Sequence, residues 1–176
     1  MPVRPATPAD AEAVAAIYDE AVRTGTASFE LDPPGPAEIA RRIAGILAEG
    51  YPYLVMEEAG AITGYAYASA FRPRIAYYHT VENSIYVAPE AQGRGVGRVL
   101  LEALVADCAG RGFRQMVAVI GDSANAGSIA LHRACGFAHV GVLEATGLKF
   151  GRWIDTVLMQ RPLGPGAADV PPPAER

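Results

Sequence analysis

The sequence predicts an α/β domain in which helices interrupt a mixed sheet. Three observations carry that expectation. Apolar stripes of helical period alternate along the chain with short strand-like apolar runs. A length of 176 residues suits one domain with a proper core. A content of 51% hydrophobic and 19% charged residues is that of an ordinary soluble globular protein.

The elements follow in order. "TPADAEAVAAIYDEAV" opens with Thr7 as N-cap, Pro8 at the first helical position and Asp10 three residues after the cap. Val14, Ile17, Tyr18, Ala21 and Val22 then share one helical face. A second helix follows "DPPG", with Ile39, Ile43, Ile46 and Leu47 on one face and Gly50 as its stop. "YPYLVMEEAGAITGYAYASAF" reads as two strands around a tight turn near Ala59 and Gly60, and "HTVENSIYVA" as a third strand. "GVGRVLLEALVADCAGRG" is a helix: Leu100, Leu104 and Cys108 make one stripe, Leu101 and Val105 its neighbour. "QMVAVIG" is a nearly continuous apolar run and reads as a central strand. "NAGSIALHRACGF" is a short helix ending at Gly136, and "VGVLEATGLKFGRWIDTVLMQ" supplies the last strands. These elements form one domain over residues 1–162, and the Pro/Gly-rich residues 163–176 are expected to be a flexible tail.

Several function classes fall away. A net charge of −4 and a pI of about 5.4 argue against a general nucleic-acid binder. No run is long and apolar enough to span a bilayer, and "MPVRPATPAD" lacks the apolar core of a signal peptide. Cys108 and Cys135 lie in helical stretches with no spacing that suggests a disulfide or a metal site. The expectation is a cytoplasmic protein with no metal, membrane or nucleic-acid partner.

Gln92, Gly93, Arg94, Gly95, Val96, Gly97 and Arg98 sit between a strand and a helix. Free amides and the helix dipole favour a phosphate there, and glycines let the backbone come close to it. A nucleoside-triphosphate loop needs Gly-Lys-Ser/Thr, but Gly97 is followed by Arg98 and Val99. A dinucleotide fingerprint counted from Gly93 would need glycine where Arg98 stands. What remains is Q-x-x-G-x-G directly after a strand.

That pattern resembles the acetyl-CoA pyrophosphate loop of the GCN5-related N-acetyltransferases (GNAT), in which an asparagine and then "GF" follow; Asn125, Gly136 and Phe137 occupy those places. "TASFE", "FRPR", "TVENSIYV", "SIALHRACGF" and "LKFGRWIDTVLMQ" are similar to the phosphinothricin acetyltransferase group, which includes enzymes acting on methionine sulfoximine and methionine sulfone. The similarity runs from Val3 to Gln160. It implies the GNAT fold, a mixed and mostly antiparallel central sheet with flanking helices, and a homodimer. Two stretches depart from the pattern: "IAGILAEG" lacks aromatic residues, and Tyr77-Tyr78-His79 is an unusual lead into "TVEN".

Acetyl transfer to an amine requires that the amine lose a proton, that the thioester oxygen be stabilised and that the thiolate leave. Glu82 is the leading base. Strand alternation puts Glu82, Ser84 and Tyr86 on one face and Val81, Asn83, Ile85 and Val87 on the other. A carboxylate among apolar strand residues tends toward a raised pKa. The resemblance places the group's catalytic glutamate here and a histidine at His132, which either relays a proton or is a structural residue of the helix. It also implies that Ile85, Tyr86 and Val87 offer backbone groups to the pantetheine arm. Arg94 and Arg98 either meet phosphates or stay in solvent, and Asn125 and Ser128 either approach the pantetheine or cap a helix. For the acceptor, Arg72 and Arg74 suit paired anionic oxygens, with Phe29 and Tyr77 as pocket walls and Glu82 and Ser84 as further substrate-binding residues. The expected function is therefore an acetyl-CoA-dependent N-acetyltransferase for the α-amine of a small amino-acid-like acceptor. The alternatives are another amine (a polyamine, an antibiotic or a protein N-terminus) or a non-catalytic acetyl-CoA sensor.

Overall fold

The computed structural model describes residues 2–171. Seven strands form one sheet: β1 (Val3–Pro5), β2 (Tyr53–Glu58), β3 (Ala61–Ala70), β4 (Thr80–Val87), β5 (Gln115–Gly121), β6 (Ala138–Lys149) and β7 (Arg152–Pro162). Their spatial order is β1-β2-β3-β4-β5-β7-β6. β4 and β5 are parallel, and every other neighbouring pair is antiparallel, so the sheet is mixed and mostly antiparallel as expected. The helices are α1 (Ala11–Thr24), α2 (Pro36–Ala48), α3 (Val96–Gly110) and α4 (Ala126–Ala134).

Alternation on β3 assigns the helices to faces. Tyr65 stacks with Tyr86, whose ring meets Tyr18 of α1 edge-on at 5.0 Å. The adjacent Gly64 faces the other way, where an added Cβ would stand 3.0 Å from Leu100 of α3. α1 therefore covers one face and α3 the other. On the first face Tyr53, Tyr65, Tyr67 and Tyr86 form a stack of rings. On the second, Leu100, Leu101, Leu104 and Cys108 are fully buried, as the two helical stripes predict. The tight turn between β2 and β3 uses Ala59 and Gly60, both at positive φ.

Three features differ from the sequence reading. The first is β1, an unanticipated short strand that pairs with β2. The second is the start of α1. Residues Pro8–Asp10 form a 3-10 turn and the α-helix begins only at Ala11. The Asp10 carboxylate accepts from the Thr7 backbone N–H at 2.8 Å and pairs with Arg4, which holds it down at about 2. A tight first turn is a common helix start. The third is the expected tail. Leu163 is buried and donates its N–H to the Arg114 carbonyl at 2.9 Å, and Arg114 pairs with Asp169. Packing and polar contacts thus extend past residue 162; residues 172–176 of the expected tail lie outside those described.

β6 is an edge strand that exposes Val140, Val142, Leu143 and Leu148. Phe150, in the β6–β7 turn, and Trp153, 65% accessible, extend the apolar surface.

Candidate active site

The parallel pair β4–β5 is the origin of the site. Its pairing runs only from Thr80↔Gln115 to Asn83↔Ala118, yet β4 continues to Val87 and β5 to Gly121. β5 stays paired with β7 along its whole length, Gln115–Gly121, while its pairing with β4 stops at Asn83↔Ala118, so the two parallel strands splay apart beyond that point. Backbone groups of β4 from Ser84 to Val87 are thereby released on the β5 side.

Beyond Val87 the chain turns sharply into α3. Gln92 Nε2 donates to the Val87 carbonyl at 3.2 Å, and Gly93 and Gly95 take φ of 72° and 85°. Gly95 is the N-cap, so the first-turn amides from Val96 onward have no intrahelical carbonyl to meet. With the dipole they make a fixed electropositive wall. Gly97 serves packing: an added Cβ would lie 3.2 Å from Leu131 of α4.

A groove of about 710 Å³ runs from the C-terminal end of α1 past β4 to this wall and to α4. Of the residues expected to hold a cofactor, Ile85, Tyr86, Val87, Gln92, Gly93, Gly95, Val96, Gly97, Arg98, Asn125 and Ser128 all line it. Arg94 is not among the groove-lining residues; its guanidinium donates to Glu58 at 2.9 Å. Arg98 lines the groove while paired with Glu102 at 2.8 Å. Asn125 is both lining and cap, since its Oδ1 accepts from the Ser128 N–H at 3.2 Å.

The inner end of the groove shares Ile85, Tyr86, Asn125 and Ser128 with a cavity of about 50 Å³ between the splayed strands. Asn83, Ser84 and His132 also line it. His132 is only 2% accessible. Its Nδ1 lies 2.8 Å from the Ser128 carbonyl and its Nε2 lies 2.9 Å from Asn83 Nδ2. Burial pushes the imidazole below its usual pKa.

Glu82 alternates with Asn83 along β4 and so points to the opposite face of the sheet from it. Burial pushes its carboxyl above the usual range, and the positive charge of Arg72 opposes that shift. Arg72 lies over the Phe71 ring at 4.6 Å, and Phe71 meets Tyr77 edge-on at 5.7 Å. Arg74 precedes the short turn Ile75–Tyr77. Arg72, Arg74, Tyr77, Glu82 and Phe29 line neither the groove nor the cavity. Phe29 is held against Gly121 and Gly147, so it belongs to the β5–β7–β6 side of the molecule.

The sequence reading missed what fixes the segment around Phe29. Ser28 is gripped twice: its hydroxyl is 2.7 Å from Tyr18 Oη, and its carbonyl accepts from buried Lys149 Nζ at 2.8 Å. Glu30 receives Arg42 at 2.6 Å. It also missed Asp122, a groove residue at φ 74° that accepts from the Ala124 N–H and from Arg152. The only local signal was polar or charged residues inside otherwise apolar runs. Among the described residues there is no cluster of metal-binding side chains and no helix long and apolar enough to cross a membrane.

Residues 3–158 match the family model described as Acetyltransferase (GNAT) domain. A phosphinothricin N-acetyltransferase of Alcaligenes faecalis is 56% identical over 162 residues, 92% of this chain and 82% of that protein. An L-methionine sulfoximine/L-methionine sulfone acetyltransferase of Pseudomonas paraeruginosa is 41% identical over 167 residues, 93% of this chain and 95% of that protein. Among solved structures, a GNAT superfamily phosphinothricin acetyltransferase from Sinorhizobium meliloti in complex with AcCoA superposes with a TM-score of 0.93 at 53% identity. That match covers 97% of this chain and 92% of the other.

Proposed function

The chain belongs to the GNAT acetyltransferase family, and we propose that it transfers the acetyl group of acetyl-CoA to the α-amine of a small amino-acid-like acceptor of the phosphinothricin, methionine sulfoximine or methionine sulfone type. The observation that carries this reading is the splay of β4 from β5, which joins an amide-walled groove to a small inner cavity. The names of the relatives support the acceptor class, and the AcCoA complex of the Sinorhizobium protein supports the co-substrate.

The groove suits acetyl-CoA: its wall of helix amides fits a pyrophosphate, and its freed strand edge fits an amide-bearing arm. The backbone of Gly93, Gly95 and the first turn of α3 would hold the phosphates. Ile85, Tyr86, Val87, Asn125 and Ser128 would hold the pantetheine. Bound there, the co-substrate supplies an activated acetyl thioester. Glu82 takes the amine proton, directly or through a water, and its raised pKa suits a base acting near neutrality. Arg72 and Arg74 hold the acceptor's anionic oxygens, and Phe29, Tyr77 and Ser84 border its aliphatic part. The exposed apolar surface of β6 and Trp153 supports a homodimer, to be checked by light scattering at micromolar concentration. The buried free thiols Cys108 and Cys135 are in keeping with a reducing, cytoplasmic setting.

Thiol release from acetyl-CoA with a panel of amines tests the reading. Phosphinothricin, methionine sulfoximine and methionine sulfone should be turned over, and methionine, polyamines and short peptides should be poor. Turnover of a polyamine or a peptide above the sulfone would overturn the acceptor class, and thiol release with no amine at all would overturn it as a transferase.

A further inference from the structure

We propose that Asn83 is a positioning residue whose side-chain amide follows the protonation state of His132 and presents that state to the inner cavity as either an acceptor or a donor. A carbonyl oxygen only accepts, so His132 Nδ1, 2.8 Å from the Ser128 carbonyl, carries a hydrogen. An amide nitrogen only donates, so Nε2, 2.9 Å from Asn83 Nδ2, is the bare nitrogen that accepts. The ring is thereby held as the neutral Nδ1–H tautomer.

That arrangement leaves Asn83 Oδ1 buried without a partner. Asn83 itself is 5% accessible and lines the cavity. A buried acceptor left unmade is costly unless something fills it. The cavity is polar and has room for a few waters or an acetyl-sized group. With neutral His132, then, the group left unmade beside the cavity is an acceptor, which an N–H or O–H reaching it from the cavity side would satisfy.

A proton arriving from solvent at Nε2 reverses the requirement. The imidazolium donates from both nitrogens, and Nδ2 opposite Nε2 becomes donor against donor. Half a turn of the amide brings Oδ1 to accept from Nε2–H and moves the NH₂ group to the cavity. The cavity then offers donors, suited to an electron-rich oxygen or sulfur. The surroundings leave this coupling undisturbed by other charges. α4 contributes Ser128, whose hydroxyl is 3.4 Å from Nδ1, and the strand after it contributes the Phe137 ring, edge-on at 5.1 Å. β5 contributes Ala118, Val119 and Ile120, and the loop after α1 contributes Ala27. From β4, Tyr86 is kept protonated by burial, and Glu82 faces the opposite side. No carboxylate, lysine or arginine is among the side chains lining the cavity.

The proposal rests on the acetyl-transfer reading only in placing the thioester at this cavity, and its test reads the ring alone. Nitrogen-15 spectra of histidine-labelled full-length protein, titrated with pH, report the tautomer and midpoint of His132, with His132→Asn assigning its signals. At neutral pH Nδ1 should be protonated and Nε2 bare. In Asn83→Asp the carboxylate can only accept, and the midpoint should rise by about one pH unit or more. In Asn83→Leu, which can serve neither form, the midpoint should fall below that of the wild type. A neutral ring protonated at Nε2 in the wild type would overturn the proposal. So would a wild-type midpoint in both folded variants, the result expected if Asn83 only fills space.

Discussion

The two sides of β4 are built from different materials. On the groove side the proposed working groups are backbone: two left-handed glycines, the head of α3 and a strand edge freed by the splay. The side chains nearby are turned to other tasks, Gln92 to the Val87 carbonyl, Arg94 to Glu58 and Arg98 to Glu102. On the other side the proposed working groups are side chains, Glu82 and Arg72, on the face of the sheet that carries the stacked tyrosines. A backbone site is indifferent to many substitutions and intolerant of any that changes φ or fills the approach. A side-chain site fails by deletion of single groups.

The largest break should come in the loop. Gly95→Asp forces a Cβ into positive φ and sets a negative charge against the phosphates, and acetyl-CoA binding measured by calorimetry should weaken at least about 100-fold, with the circular dichroism of a folded protein. Wild-type affinity would place the phosphates elsewhere. Next is Glu82→Gln, which should lower turnover by about 100-fold or more, the scale of a lost general base, while leaving acetyl-CoA affinity in place. Equal loss of both would make Glu82 a structural residue.

Arg72→Ala should act on one substrate only, raising KM for the sulfone or phosphinothricin by about tenfold and leaving that for acetyl-CoA within about twofold. It should also move the pH profile. A base works deprotonated, so with Glu82 in that proposed role kcat/KM falls as pH drops through its pKa. Arg72 lowers that pKa against the push of burial. Its removal should shift the acidic limb to higher pH, and a limb shifted downward would contradict the pairing. The smallest effect belongs to Arg94→Ala. An exposed pair with Glu58 contributes about 0–1 kcal/mol, so stability and KM for acetyl-CoA should barely change. A tenfold rise in that KM would show that the arginine leaves Glu58 for a phosphate.

The same division decided what could be read from the sequence. Backbone-built features leave local signatures, because glycine spacing, caps and periodic stripes act within a few residues. The loop from Gln92 to Gly97, the buried face of α1 and the Ala59–Gly60 turn were legible for that reason. Contacts between side chains distant in sequence were not. Lys149 meets Ser28 across 121 residues and Asn83 meets His132 across 49. Alternation placed Asn83 on its correct face without revealing what stood opposite. β1 escaped because three residues ending in proline carry almost no strand signal. Leu163 was absorbed into a tail by the prolines and glycines around it, although its side chain fills the core.

Trp153 is the one tryptophan of the chain and sits on the exposed hairpin, 65% accessible. Its indole is already wet in the single folded protomer, so its emission is a poor thermometer of that protomer's core. The stacked tyrosines carry the complementary optical signal, since near-ultraviolet dichroism depends on rings locked in one another's asymmetric field and vanishes when they tumble free. One chain thus holds two separate spectroscopic channels, a dye at its rim that would report anything seated there and a chiral stack at its centre for folding.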